Sequence, residues 1–221
     1  MTREEEIRTW MNEHYVQVSM TVEENYERIK AEFLDQKKAV HTELVFEQNG
    51  MCGLKDYKGD ILLPAEYDDI RLDYRETALS SPCYIMARKG KWGIVDNSGN
   101  ILLPFKYDDI YPIESAEYAV KQRGKWGAYS VLHQEWLLRC SHDTIYSNYP
   151  SPMELVLVFS DNGKFGWTGC QFPKNNSKAM FDAVYLPQPS YFYSPSYDED
   201  TEVFEARIGK EWYTIESWTI K

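Results

Sequence analysis

The chain is poor in the residues that most often carry chemistry. Among its 221 residues it has four cysteines, Cys52, Cys83, Cys140 and Cys170, and four histidines, His14, His41, His133 and His142. No two cysteines form a CxxC pair, and the histidines have no partner at metal-ligand spacing. A disulfide framework packs its cysteines densely into a short chain, so these read as buried free thiols. There is no GxSxG, no glycine loop that could cradle a phosphate and no Cys–His signature, so no enzyme class is indicated and no catalytic residue stands out. No cofactor and no metal are expected either. Basic residues are outnumbered, 24 Lys and Arg against 35 Asp and Glu, for a net charge of −11. Such a surface repels phosphate, which argues against nucleic acid and anionic membranes as partners and for a basic protein. No apolar run is long enough to span a bilayer, and the opening residues lack a basic and an apolar signal region. The expectation is a soluble cytoplasmic protein.

What the chain has in quantity is aromatic side chains, with seven Trp and seventeen Tyr. That excludes a disordered polymer and supports a sizeable core. Its texture changes near residue 40. Residues 1–40 read as a helical segment. Thr2 with Glu5, and Thr21 with Glu24, match the capping box, in which two orphan helix-end donors are satisfied reciprocally. Ile7, Trp10, Met11, His14, Tyr15 and Val18 follow the first box at helical spacing, and Val22, Tyr26, Ile29 and Phe33 follow the second. The expectation is a helical hairpin with a short turn near Ser19 and Met20, its apolar stripes docked on the rest of the chain or on another molecule. His14 falls on the stripe, where a satisfied core histidine is the simpler reading.

Residues 41–221 are short β-type runs separated by turn residues, and they repeat. Lys89-Gly90-Lys91-Trp92-Gly93-Ile94 returns as Arg123-Gly124-Lys125-Trp126-Gly127-Ala128 and, altered, as Asn162-Gly163-Lys164-Phe165-Gly166-Trp167. An earlier copy, Asn49-Gly50-Met51-Cys52-Gly53-Leu54, has Cys52 in the Trp position. The second half of the unit, Ile61-Leu62-Leu63-Pro64-Ala65-Glu66-Tyr67-Asp68-Asp69-Ile70, returns as Ile101-Leu102-Leu103-Pro104-Phe105-Lys106-Tyr107-Asp108-Asp109-Ile110. Asp143-Thr144-Ile145 and Asp182-Ala183-Val184 are fainter echoes. Ile208-Gly209-Lys210-Glu211-Trp212-Tyr213 is a terminal half-copy.

These motifs resemble the WG-repeat family over roughly residues 41–221. The resemblance implies a bacterial, mainly β protein of tandem antiparallel β-repeats, about four units plus a terminal half-unit. It implies a binding habit and transfers no catalytic residues. Within the units, Trp92 and Trp126 are expected in the core in equivalent surroundings, and the glycine after each makes room for close backbone approach. Pro64 and Pro104 cannot donate to a ladder and mark a strand end or an edge. The Asp68-Asp69 and Asp108-Asp109 pairs could serve acid–base work or a hard cation. Because one Asp survives in the later copies, a turn-capping role is preferred.

Function is expected in the segments that vary in length between units. They are rich in Tyr and Pro: Tyr74, Pro82, Tyr111, Pro112, Tyr146, Tyr149, Pro150 and Pro152. The longest holds Tyr191, Phe192, Tyr193 and Tyr197, followed by Asp198, Glu199 and Asp200. Tyrosine offers large contact area at low entropy cost, so these loops read as an acidic, aromatic rim that binds a protein partner. The same stretch is equally well read as a hairpin capping the last unit. Two functions follow. One is a binding module that holds, and as an inhibitor or immunity-type neutraliser covers, a basic protein. The other is a structural scaffold docking through its N-terminal helices. The oligomeric state and the choice between a solenoid and a closed barrel stay open.

Overall fold

A computed structural model describes residues 3–36, 45–56, 58–73, 83–114, 116–146, 156–169, 177–188 and 203–216. The fold is built from one hairpin used repeatedly. Each begins with an apolar run and turns over two residues that both hold positive φ: Asn49-Gly50, Lys89-Gly90, Arg123-Gly124 and Asn162-Gly163. This turn has the twist that a two-residue hairpin needs, and glycine at its second position carries it without steric cost. The resulting pairs are β2 (Val45–Gln48) with β3 (Met51–Lys55), β6 (Cys83–Arg88) with β7 (Lys91–Asp96), β10 (Glu117–Gln122) with β11 (Lys125–Ser130), and β14 (Val156–Asp161) with β15 (Lys164–Gly169). A fifth pair, β17 (Val203–Ile208) with β18 (Glu211–Glu216), turns at Gly209.

A second turn returns the chain to a third strand. Asp56 Oδ1 accepts from the backbone N–H of Lys58 and Asp60, and Asp96 Oδ1 from those of Ser98 and Asn100, all within 2.9 Å. An Asp side chain thus imitates backbone and closes the turn. The third strands are β4 (Ile61–Tyr67), β8 (Ile101–Tyr107) and β12 (Glu135–His142). Their register breaks opposite Gly53 and Gly93. A Cβ on Gly93 would lie 2.7 Å from the Leu103 carbonyl oxygen, and one on Gly127 2.6 Å from that of Leu138. The glycine of the repeat is therefore required by a neighbouring backbone, as its position suggests. Pro64 and Pro104 lie inside edge strands at this register break rather than at a strand end, where a missing N–H removes no ladder bond.

Each Tyr-Asp-Asp-Ile segment is a corner at which the chain leaves one sheet and starts the next. β4 ends at Tyr67, and after Asp68 the chain resumes as β5 (Asp69–Arg71), paired with β6. Likewise β8 gives way after Asp108 to β9 (Asp109–Glu114), paired with β10. The first Asp caps a turn, but one lying in the following hairpin rather than beside it. Asp68 Oδ2 accepts from Gly90 N–H at 2.7 Å, Asp108 from Gly124, Asp143 from Asn162 at 2.7 Å and Asp182 from Gly209 at 2.6 Å. Asp108 and Asp182 also hold Lys91 and Lys164, the lysines of the preceding hairpins. One carboxylate thus pins two consecutive repeats. Among the described residues, no group of three or more His, Cys, Asp or Glu is placed to hold a metal ion.

The described residues divide into two compact units. One comprises residues 22–141 and holds three sheets, β2-β3-β4, β5-β6-β7-β8 and β12-β11-β10-β9. Its middle sheet is buried on both faces. Ile85 and Ile94 join Tyr107, Ile110, Tyr118 and Val120 on one side, while Met86 and Val95 join Leu54, Leu63, Tyr67 and Ile70 on the other. Strands sandwiched in this way read as continuous apolar runs, as Tyr84-Ile85-Met86-Ala87 does, and each repeat buries its neighbour. Helix α2 (Val22–Gln36) packs on β9 through Val22 and Tyr26, and the Tyr26 hydroxyl donates to the Leu72 carbonyl at 2.9 Å. Trp126 is buried at 3% exposure, whereas Trp92 is only partly buried, so the two indoles are not equivalent. Trp92 packs against the core cluster on one side of the middle sheet and carries the Arg71 guanidinium 4.3 Å from its ring.

The other unit comprises residues 1–21 and 142–221. It holds the sheet β13 (Thr144–Tyr146), β14, β15 and the sheet β1-β16-β17-β18, with β1 at Tyr15–Gln17 and β16 at Ala183–Pro187. Its core gathers Val18, Val158, Trp167, Phe181, Val184, Leu186 and Phe204. The link between the helices is therefore not the short turn expected. After α1 (Arg3–His14), Tyr15–Gln17 forms a strand antiparallel to β16, because Tyr15 and Val18 find their burial on this sheet.

Cys52, Cys83 and Cys140 are half-buried thiols outside any disulfide, and burial pushes the Cys140 thiol up to about 11. Cys170 lies outside the described residues.

Candidate functional site

The sheet β1-β16-β17-β18 has two unlike faces. Period-two alternation sends Phe204 and Ala206 into the core and leaves Glu205 on the opposite face, cross-strand from Tyr185 and Thr214. Trp212 stands on that same face, opposite Arg207, with its ring 5.1 Å from that of Tyr185. Helix α1 supplies the facing wall. Its C-terminal end is held to the sheet by Gln188, whose backbone N–H donates to the His14 carbonyl at 2.7 Å and whose side-chain amide donates to the Asn12 carbonyl at 2.9 Å. These bonds satisfy carbonyls that a helix end otherwise leaves orphaned. His14 is itself satisfied, as its position suggests, donating from Nδ1 to the Trp10 carbonyl at 2.7 Å and stacking on the Trp10 ring at 4.7 Å.

Between these walls lies a cavity of about 390 Å³ lined by Glu6, Trp10, Met11, Glu205 and Trp212. Met11 is buried and forms its apolar floor. Trp10 and Trp212 are 43% and 38% exposed, high values for indoles in a chain with this much core. Glu205 is only 8% exposed, and its Oε1 accepts from the Thr214 hydroxyl at 2.9 Å. Burial pushes the Glu205 carboxyl above the usual glutamate range, and the Thr214 bond offsets part of that rise. The arrangement is two aromatic faces and two carboxylates around an apolar space. Indole faces attract cations through their quadrupole, and a desolvated carboxylate attracts them more strongly. Arg207, on the same sheet face, turns its guanidinium to the Gly209 carbonyl at the hairpin end.

Of the residues expected to bind from their place in variable loops, Tyr111 and Tyr146 are among the described residues. Tyr111 is half-buried in the unit of residues 22–141. Its ring lies 5.5 Å from Tyr26 and 6.1 Å from Trp126, and the Arg71 guanidinium sits 3.9 Å from its centre. Arg71 is paired with Asp109 at 2.7 Å, so this group clamps β5 to β9. Tyr146 belongs to the other unit, with its ring 5.1 Å from Phe165 and its hydroxyl 3.3 Å from that of Ser160. The structure thus engages each ring in packing within its own unit. Tyr74, Pro82, Tyr149, Pro150, Pro152, Tyr191, Phe192, Tyr193, Tyr197, Asp198, Glu199 and Asp200 lie outside the described residues.

Glu6, Trp10, Glu205 and Trp212 were not foreseen as a site. Trp10 reads as one more apolar residue of a helical stripe, and Glu205 as the polar position of an alternating strand. The available signal was the departure of the terminal half-copy from its pattern. It places Glu211 where Lys91 and Lys125 stand, and Tyr213 where Gly93 and Gly127 stand. A tyrosine there cannot accept the close approach of a third strand, and among the described residues none pairs with the outer edge of β18.

Hairpin, Asp-closed turn, bulged third strand and Asp corner, used in succession, define a tandem antiparallel β-repeat protein. The family described as WG containing repeat matches residues 53–76 and 92–126, so those segments of the chain are similar to WG repeats. The matched segments begin at the close-approach glycine of one unit and run from Trp92 to Trp126 across the next. No curated protein matches the chain in sequence. Among the described residues no helix is long and apolar enough to cross a membrane.

Proposed function

We propose that this protein is a non-catalytic, cytoplasmic binding module whose partner is a basic protein, and that it neutralises that protein by covering it. The observation that carries this reading is the open cavity walled by Trp10 and Trp212 and edged by Glu6 and Glu205. Half-exposed indoles set among carboxylates are suited to cationic protein surface, and the net charge of −11 extends the same preference to long range. Asp198, Glu199 and Asp200 add negative charge to the chain, and its Tyr-rich segments are suited by composition to further contact. The scaffold alternative loses ground where the helices bury part of their stripes internally, at Met11, Val22 and Tyr26. The test is affinity capture from native lysate at low and high salt, then association kinetics with the protein retained. The expected result is a stoichiometric basic partner whose association slows steeply with salt. Retention of an acidic or neutral partner with salt-independent rates would refute the proposal.

A further inference from the structure

We propose that the cavity between α1 and the β17–β18 hairpin receives one lysine side chain of the basic partner, with Glu205 as its counter-ion and Trp10 and Trp212 as its walls. This deepens the binding-module reading and rests on it. The shape of the chemistry selects lysine. A floor of Met11 and walls of two indoles suit an aliphatic stem, and such a stem lies along apolar surface while it carries its charge to the end. At that end stands a carboxylate taken largely out of water, whose burial is offset in part by the Thr214 bond while Arg207, on the same face, turns to the Gly209 carbonyl. An inserted ammonium supplies a compensating charge, which turns a cost of the free protein into a gain on binding. Glu205 Oε1 already accepts from Thr214, which takes one of the carboxylate's acceptor sites and leaves fewer for the planar fork of arginine. An ammonium is a compact point donor and needs only what remains. Glu6, exposed on the first turns of α1, lies at the mouth, where it attracts the charge before the indoles enclose it.

The test uses the whole chain, nitrogen-15 labelled, with the indole N–H resonances of Trp10 and Trp212 assigned by single Trp→Phe variants. The probe is a short capped peptide of alternating glycine and lysine. Its controls carry norleucine, the uncharged analogue of the stem, or arginine at the lysine positions. The lysine peptide is expected to shift both indole resonances saturably and more tightly than either control. Glu205→Gln keeps the acceptor for Thr214 and should weaken lysine binding about thirtyfold or more while leaving norleucine binding unchanged. Glu6→Lys, at an exposed helical position that cannot unfold the sheet, should weaken it about two- to fivefold. Equal binding of lysine and norleucine, preference for arginine, or insensitivity to both substitutions would overturn the assignment. Saturable shifts confined to resonances elsewhere in the chain would also overturn it, yet leave the binding module standing. The module itself falls by the salt-independent partner kinetics described above, a separate measurement.

Discussion

The glycine that follows each repeat Trp gives the sharpest test of how the units are built. Gly127 and Gly124 are three residues apart in one hairpin, and the structure assigns them opposite problems. A Cβ on Gly124 meets nothing within 4 Å, but its φ of +76° is left-handed. Gly124→Ala should therefore cost about 1–2 kcal/mol, the strain of an L-residue in that region. A Cβ on Gly127 would lie 2.6 Å from the Leu138 carbonyl oxygen and 2.7 Å from both the Arg139 carbonyl carbon and the Cys140 amide nitrogen. All three atoms are backbone of β12, so no rotamer change relieves them. Ordinary contact begins near 3.4 Å, so the third strand must retreat by several tenths of an ångström and strain its ladder. Overpacking against yielding side chains costs about 1–3 kcal/mol, and here the upper end or more is expected. Chemical denaturation of the two variants, followed by tryptophan fluorescence and circular dichroism, should rank Gly127→Ala well below Gly124→Ala in stability. If Gly127→Ala stays within about 0.5 kcal/mol of wild type, as a surface change would, the close approach is not a constraint and the bulged third strand is misread.

Trp126→Ala should cost about 3–5 kcal/mol, the range for a truncated core aromatic, and partly buried Trp92→Ala distinctly less; the same denaturation series measures both. Glu205→Gln should raise the midpoint of thermal unfolding at neutral pH. Burial holds the folded carboxyl above its unfolded value, so the folded state keeps a proton that the unfolded chain has lost, and stability falls as pH rises through that window. Arg207 on the same face of β17, Tyr185 on β16, Thr214 on β18 and Glu6 on α1 are polar groups around it, and the advantage of the Gln variant should shrink as pH falls toward about 4. Asp182 behaves oppositely. Its bond from Gly209 N–H, then Lys164, holds its carboxyl below the usual range, so its contribution is present above about pH 3.9 and is lost as pH falls through the folded value. Melts of wild type and Asp182→Asn should thus converge on acidification, and a constant gap would mean that this carboxylate does not pin the repeats.

Much of the architecture is legible in the residues because it repeats. Trp92 and Trp126, the two Tyr-Asp-Asp-Ile segments and the Asp-containing second turns announce a unit of fixed chemistry, and local turn rules convert that chemistry into hairpins. The close-approach glycines are legible for the same reason, since a backbone constraint recurs with the unit that imposes it. The capping Asp was harder to place. Its acceptor role follows from residue type, but its donor is a turn well along the chain, at Gly90 for Asp68, and separation of that kind leaves no trace in spacing.

The candidate site was not legible, for a related reason. Tyr111 and Tyr146 look like free binding residues when loop length and composition are the only guide. The structure adds contacts that spacing does not show, with Arg71 and Tyr26 at Tyr111 and Phe165 at Tyr146. Trp10 reads as core and comes out half-exposed, because Met11, Tyr15 and Val18 take the burial available beside it. Sequence by itself determined the repeating β unit, its turns, its obligatory glycines and its acidic character, all of which depend on neighbours along the chain or on simple sums over it. Tertiary structure alone decided that Tyr15–Gln17 pairs with β16 and that Glu6, Trp10, Glu205 and Trp212 share one cavity. Those residues stand some two hundred positions apart, and only the pairing of a strand beside the first helix with a sheet formed late in the chain brings indoles and carboxylates to the same wall.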